Sequence, residues 1–388
     1  MIKTKRNSKR NSKRNNNRNK RNTKNKNKTL RKYKKLSGGA NGNARAPVAR
    51  NLYDYDKTLG TTGYLGASNT QFNYPAGVAV SAKGDRIYVA DTKNNRVQIF
   101  DGTTNPPNYI ATLGTEYNPD LDTDNVGPSN TQFQNTYGIA VSATDTDEKI
   151  YIVDCFNHRV QIFDVSDIKN IRYIANLGTT GSAGTDDTHF NKPSGVAVSA
   201  TGDRIYVADS GNNRIQIFNG NTLEHIKTLG TGYNPDLDTG KVVLSNTQFS
   251  KPSGVAVSAT GDRIYVADTN NHRVQIFDGE SYNYIAGLGT NGASGISNKQ
   301  FTFPHGIAVS ATGDRIYVAD QFNQRVQIFN FDLNNTPVYD DILGITQTEG
   351  NRPRQFRNPV GVAVSADGVK IFVADTLNHR VQIWKKKT

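Results

Sequence analysis

From residue 53 onward the chain alternates short β-branched and aromatic runs with polar turns. Residues 252–277 read PSGVAVSATGDRIYVADTNNHRVQIF. Gly-Val-Ala-Val is followed by a Gly-Asp turn, then Arg-Ile-Tyr-Val-Ala-Asp, an Asn-rich turn and Arg-Val-Gln-Ile-Phe. Runs of this composition, bounded by Gly, Asp and Asn, predict strands. A weaker fourth run ending in Leu-Gly comes next, as in Tyr109–Gly114 and Tyr173–Gly178. The unit recurs six times, with its Val-Ala-Asp or equivalent ending at Asp91, Asp154, Asp209, Asp268, Asp320 and Asp375. Four antiparallel strands per unit, six times over, predict an all-β fold, a six-bladed β-propeller.

The ends of the pattern predict how the ring closes. The sixth copy stops after its third strand at Gln382-Ile383-Trp384, whereas Tyr53-Asp54-Tyr55-Asp56-Lys57-Thr58-Leu59-Gly60 stands ahead of the first copy and fits the missing fourth strand. Residues 53–59 should therefore complete blade 6 and leave no open edge. The organisation expected is a disordered basic tail over 1–50 and a propeller over 51–388.

These motifs resemble the NHL repeat family across residues 53–384. The resemblance rests on Gln71-Phe72, Pro75-Ala76-Gly77-Val78-Ala79-Val80, Tyr88-Val89-Ala90-Asp91 and Asn95-Arg96-Val97-Gln98-Ile99-Phe100, with counterparts in the other copies. Blade 2 departs, with Thr136-Tyr137-Gly138 in place of Pro-x-Gly. WD-type and kelch signatures are missing. The family includes RNA-binding modules, protein-binding modules and a few enzymes, so the resemblance implies the fold and leaves function to the site.

Some repeated residues read as structural. An acid and an arginine lie five apart in every copy: Asp91/Arg96, Asp154/Arg159, Asp209/Arg214, Asp268/Arg273, Asp320/Arg325 and Asp375/Arg380. Six identical pairs suit the locking of a tight turn better than catalysis. His158, His272 and His379 interchange with Asn95, Asn213 and Gln324, which points to hydrogen bonding within that turn rather than metal ligation. Cys155 takes a place held by Thr, Ser or Gln elsewhere and reads as a small loop substituent.

Function is sought where the repeat is broken. Loops joining fourth to first and second to third strands gather on one propeller face around the channel. The variable residue of Pro-x-Gly runs Ala76, Tyr137, Ser194, Ser253, His305 and Val360. The peptide-amidating lyase that resembles this fold places zinc-binding histidines at Pro-His positions of the His305 type. This ring has one histidine, where a catalytic zinc wants three protein ligands. Lactonase-like relatives imply acidic calcium ligands, and the ring has no acid. No catalytic set, cofactor or metal site is expected, and His305 reads as a wet channel-mouth residue.

Loop length adds a second signal. From the fourth-strand Gly to the next Gln-Phe-type Phe the counts are 13, 20, 13, 20, 13 and 13. The two long loops are sister sequences holding Tyr117, Asp120 and Asp122, and Tyr233, Asp236 and Asp238, and with Tyr137 and His305 they are the candidate partner contacts. Asp120-x-Asp122-x-Asp124 superficially resembles a calcium loop, but Asn125 stands where the turn glycine belongs. Lys93, Lys192, Lys251, Arg352, Arg354 and Arg357 are candidates for nucleic acid, with Tyr64, Tyr74, Tyr137 and Phe303 available for stacking.

Charge divides the chain in two. Residues 1–50 carry 19 of the 47 Lys and Arg and no acid, which leaves 28 basic against 34 acidic residues, or −6, for the rest. Residues 6–28, RNSKRNSKRNNNRNKRNTKNKNK, offer no apolar face. Such an arm attracts polyanions without sequence preference. No apolar run approaches a membrane span, no secretory h-region is visible, and one cysteine suits a reducing compartment, so an intracellular protein, cytoplasmic or nuclear, is expected. The reading is a non-enzymatic scaffold with a protein or glycan on the propeller face and a polyanion on the tail. RNA binding by tail and face is the alternative, and a metal-dependent lyase or lactonase-like enzyme the third.

Overall fold

A computed structural model describes residues 52–114, 129–143, 147–230, 245–290, 292–332 and 336–388. The described residues form six four-stranded antiparallel sheets. In blade 1, β2 (Pro75–Val80), β3 (Arg86–Asp91), β4 (Arg96–Asp101) and β5 (Asn108–Leu113) pair in chain order from the axis outward. A 3-10 turn, Thr92–Asn94, joins β3 to β4. The inner strands of successive blades touch in a closed cycle, β22 (Pro359–Val364) against β2 included. In blade 6, β1 (Tyr53–Leu59) is the outer strand, registered from Tyr53 opposite Lys386 to Leu59 opposite Val381 of β24 (Arg380–Lys386).

Alternation along each strand builds the core between blades rather than within them. Ile87 and Val89 of β3 pack with Phe372, Val381 and Ile383 of blade 6, while Tyr88 and Ala90 pack with Ile139, Ile150 and Ile152 of blade 2. Six such clusters go round the ring. Tyr53 and Leu59 of the closing strand are fully enclosed in them.

The glycine of each Pro-x-Gly sets how tightly the blades meet. A Cβ on Gly77, Gly195, Gly254 or Gly361 would stand 2.1 to 2.4 Å from a carbonyl oxygen of the next blade. Only a hydrogen side chain fits this approach.

Candidate functional site

Strand direction divides the propeller into two faces. The first and third strands run away from the 3-10 turns, so those turns and the fourth-to-first loops share one face, here the rim face. The opposite face carries the Ser-x-x-Gly-Asp hairpins, where Ser258 Oγ donates to Asp262 Oδ1. The closing strand β1 begins at that opposite face, because Tyr53 pairs with the far end of β24.

Each acid of the six Asp/Arg pairs is a buried hub. Nε of Arg96, Arg159, Arg214, Arg273, Arg325 and Arg380 donates to Oδ2 of its aspartate at 2.7 to 2.8 Å. In blade 1 Asp91 Oδ1 also accepts from the Asn73 backbone N–H at 2.6 Å and Oδ2 from Asn94 Nδ2 at 2.7 Å.

The bonding of these arginines extends beyond the tight turn. Beyond its aspartate, each guanidinium reaches carbonyls of the loop that arrives from the previous blade. Arg96 Nη2 donates to the Ser68 carbonyl at 2.8 Å, and Arg159 Nη2 to those of Ser129 at 2.8 Å and Gln132 at 3.1 Å. Arg214 Nη2 donates to the Asp186 carbonyl at 2.6 Å and the His189 carbonyl at 3.0 Å. Arg325 Nη1 donates to the Ile296 carbonyl at 2.8 Å and its Nη2 to that of Ser297 at 3.0 Å. The physical reason is the planar fork: Nε alone meets the carboxylate, which leaves the Nη donors buried and in need of acceptors. The pairs thus hold the incoming loop as well as the turn.

Beside each hub the chain twice enters the left-handed region. The residue closing the 3-10 turn (Asn95, His158, Asn213, His272, Gln324 or His379) has φ of 53 to 58°. So has the residue before the inner strand, with Tyr74, Asn135, Lys192, Lys251, Phe303 and Asn358 at 47 to 56°. The two are bonded across the blade boundary. Asn135 N–H donates to Asn95 Oδ1, Lys192 to His158 Nδ1, Lys251 to Asn213 Oδ1, Phe303 to His272 Nδ1, Asn358 to Gln324 Oε1 and Tyr74 to His379 Nδ1. The bond expected within the turn is instead an inter-blade bond, because the left-handed turn aims the side chain at the neighbouring blade.

The channel is narrow, with a cavity of about 70 Å³ lined by Ala76, Tyr137, Ser194, Ser253, His305 and Val360. Tyr137 of blade 2 and His305 of blade 5 face each other from opposite sides of the ring. Their rings stack at 6.2 Å between centroids and 24° between planes. His305 is half-buried and lines the channel. It keeps some surface open to the channel, yet protein encloses it so fully that burial pushes its imidazole down to about 4. Burial likewise raises the Tyr137 hydroxyl and pushes the Cys155 thiol up to about 12, which keeps both protonated at neutral pH. Among the described residues no three His, Cys, Asp or Glu side chains converge as a metal requires.

Around the mouth the rim face offers cations and rings. Lys192 and Lys251 are exposed on adjacent blades. Lys192 Nζ lies 5.7 Å above the Phe156 ring, and Lys93 Nζ donates to Asn135 Oδ1 at 3.0 Å. Phe303 meets His272 edge-on at 4.6 Å and Phe322 at 5.0 Å. Arg352 is exposed, Arg357 approaches Glu349 at 3.8 Å, and Arg354 bonds Asp54 of the closing strand, away from the mouth. Tyr117, Asp120, Asp122, Tyr233, Asp236 and Asp238 lie outside the described residues. Sequence reasoning passed over Phe156, Leu65 and Ile345, exposed apolar side chains of this face. For Leu65 and Ile345, departure from the polar or small residues of sister blades was the available signal; Phe156 shares its place with Phe322 and Leu377 and carried none.

The NHL repeat pattern matches residues 72–100, 190–218, 249–277, 301–329 and 356–384. The unmatched blade is blade 2, where Thr136 replaces proline and its Oγ1 donates to the Arg96 carbonyl at 3.2 Å. NHL repeat-containing protein 2 of Gallus gallus is 24% identical over 340 residues, 78% of this chain and 46% of that protein. A probable peptidyl-alpha-hydroxyglycine alpha-amidating lyase of Caenorhabditis elegans is 26% identical over 243 residues, 61% of each. This chain thus spans about half the length of the curated relatives it matches. A crystal structure of a structural-genomics protein from Bacteroides thetaiotaomicron superposes with a TM-score of 0.59 at 16% identity, covering 85% of this chain and 75% of that one. Among the described residues no helix is long and apolar enough to cross a membrane. Repeats and ring topology agree: the chain carries five NHL repeats, and its described residues fold as a six-bladed propeller.

Proposed function

We propose that this propeller is a non-enzymatic binding scaffold whose rim face engages a protein partner. The observation that carries the reading is where large apolar side chains meet solvent. Tyr64 (69% exposed), Leu65 (59%), Ile345 (48%), Phe156 (42%) and Tyr74 (38%) lie on the rim face. The rest belong to outer strands, as Ile110, Ile174, Ile226 and Ile285 do, and among the described residues none lies on the hairpin face. Apolar anchors among cations are what a protein partner buries, and a few of them carry most of the affinity. Leu65 and Ile345 have no use in holding a hydroxylated glycan, so the partner class narrows to protein. Residues 1–50 contact a polyanion under this reading.

The lyase relative raises an enzymatic reading, but His305 is the ring's single histidine and stands against Tyr137 across the channel. The test is position-specific photo-crosslinking of the intact protein from residues 156, 226 and 259, one on each kind of surface.

One observation favours RNA as a second reading: Lys192 and Lys251 flank a mouth that also holds Tyr74, Phe156 and Phe303. Fluorescence anisotropy with labelled single-stranded RNA, over a salt series and with residues 1–50 removed, decides it. Binding that survives removal and is lost in K192E/K251E would establish this reading. Binding that needs residues 1–50 and collapses with salt would leave the rim to a protein.

A further inference from the structure

The six inter-blade bonds at the rim use two chemically different acceptors, and the two kinds alternate. Amide oxygens of Asn95, Asn213 and Gln324 accept at the 1–2, 3–4 and 5–6 boundaries, each at 2.7 Å. Imidazole Nδ1 atoms of His158, His272 and His379 accept at the 2–3, 4–5 and 6–1 boundaries, at 3.1 to 3.2 Å. An amide oxygen accepts at any ordinary pH. An imidazole accepts only while that nitrogen is unprotonated, with the proton on Nε2. Once charged, its Nδ1–H points at the donor it formerly served.

We infer that the ring is built from three two-blade units, 1–2, 3–4 and 5–6, joined through histidine junctions that acid unlocks. The surroundings fit that role. Lys192 and Asp209 of blade 3 and Asp154 of blade 2 face His158, and burial with the Lys192 charge holds its imidazole below the ordinary value. Arg357 faces His379, which meets the Tyr74 ring edge-on at 4.9 Å, and burial with the Arg357 charge acts in the same direction. His272 packs against the Phe303 ring, and burial alone pushes it down to about 4.

The sign follows from proton counting. Opened or unfolded junctions bind protons near pH 6.5 that closed ones refuse, so the junctions are complete above that pH and lose stability as pH falls toward the folded values.

Hydrogen–deuterium exchange of the full chain at pH 7.5 and pH 5 tests the inference, read as protection factors corrected for intrinsic exchange. The amides of Tyr74, Lys192 and Phe303 are expected to lose protection, on the order of thirtyfold at Phe303. Those of Asn135, Lys251 and Asn358 should hold. The triple variant H158N/H272N/H379N, built from a residue the sister junctions already use, should keep all six. Conversely, N213H should make Lys251 acid-sensitive. Equal losses at all six amides, or the same acid loss in the triple variant as in the wild type, would overturn the inference.

Discussion

In each blade the carboxylate that ends the second strand collects hydrogen bonds from three separate segments. For Asp268 these are the Ser250 backbone N–H at 2.7 Å, Asn271 Nδ2 at 2.8 Å and Arg273 Nε at 2.8 Å. Gln275 Nε2 adds a longer contact at 3.1 Å. Both members of the ion pair are buried, so removing one leaves the other charged and unpaired in a dry site. Arg273→Ala should therefore cost about 3–5 kcal/mol, measured by urea unfolding at neutral pH. A loss under about 1 kcal/mol would mean the pair is incidental to the fold. The Asp/Arg spacing of five made this partnership legible in sequence. The loop carbonyls that Arg159, Arg214 and Arg325 also hold were not, since they lie 25 to 30 residues earlier and carry no side-chain signature. The histidines were half legible. Their exchange with Asn and Gln marks a hydrogen-bond acceptor, but the donor lies 31 to 34 residues away, or across the ring closure for His379. Nothing local in sequence points to it.

At the scale of strands, period-two alternation placed every blade, because each strand feeds one neighbour's core with odd positions and the other's with even ones. The closing strand was legible for the same reason: Tyr53–Leu59 repeats the Tyr-to-Leu pattern of Tyr109–Leu113 and supplies what the sixth copy lacks. It brings Tyr53 and Leu59 into the core, and Lys387 N–H donates to the Leu52 carbonyl at 2.9 Å. Removing residues 1–60 should lower unfolding stability by about 3–5 kcal/mol, from two lost large apolar side chains. It should also expose β24 as an edge that self-associates. Size-exclusion chromatography and urea unfolding against a variant lacking only residues 1–45 check this. Equal stability and a monomer in both would show that the ring does not depend on the clasp. The bulge that offsets the fourth strand, as between Ile99 and Phe100, has no residue signature and could not be read beforehand.

For the molecule as a whole, the net charge of the propeller sequence was a poor guide to its rim. The acids of the six hubs are consumed by their arginines, whereas Lys192 and Lys251 stay exposed beside the channel. The channel stack was equally hidden, since Tyr137 and His305 come from blades on opposite sides of the ring and meet only once it closes. What remains is a closed ring around a narrow channel, whose exposed apolar anchors on one face stand among cations. That arrangement predicts where a partner sits. Photo-crosslinking from position 156 on the rim face should join the propeller to its partner, while positions 226 on an outer strand and 259 in a hairpin of the opposite face should give none. Crosslinks from 226 or 259, with 156 silent, would contradict the assignment of the rim as the binding face.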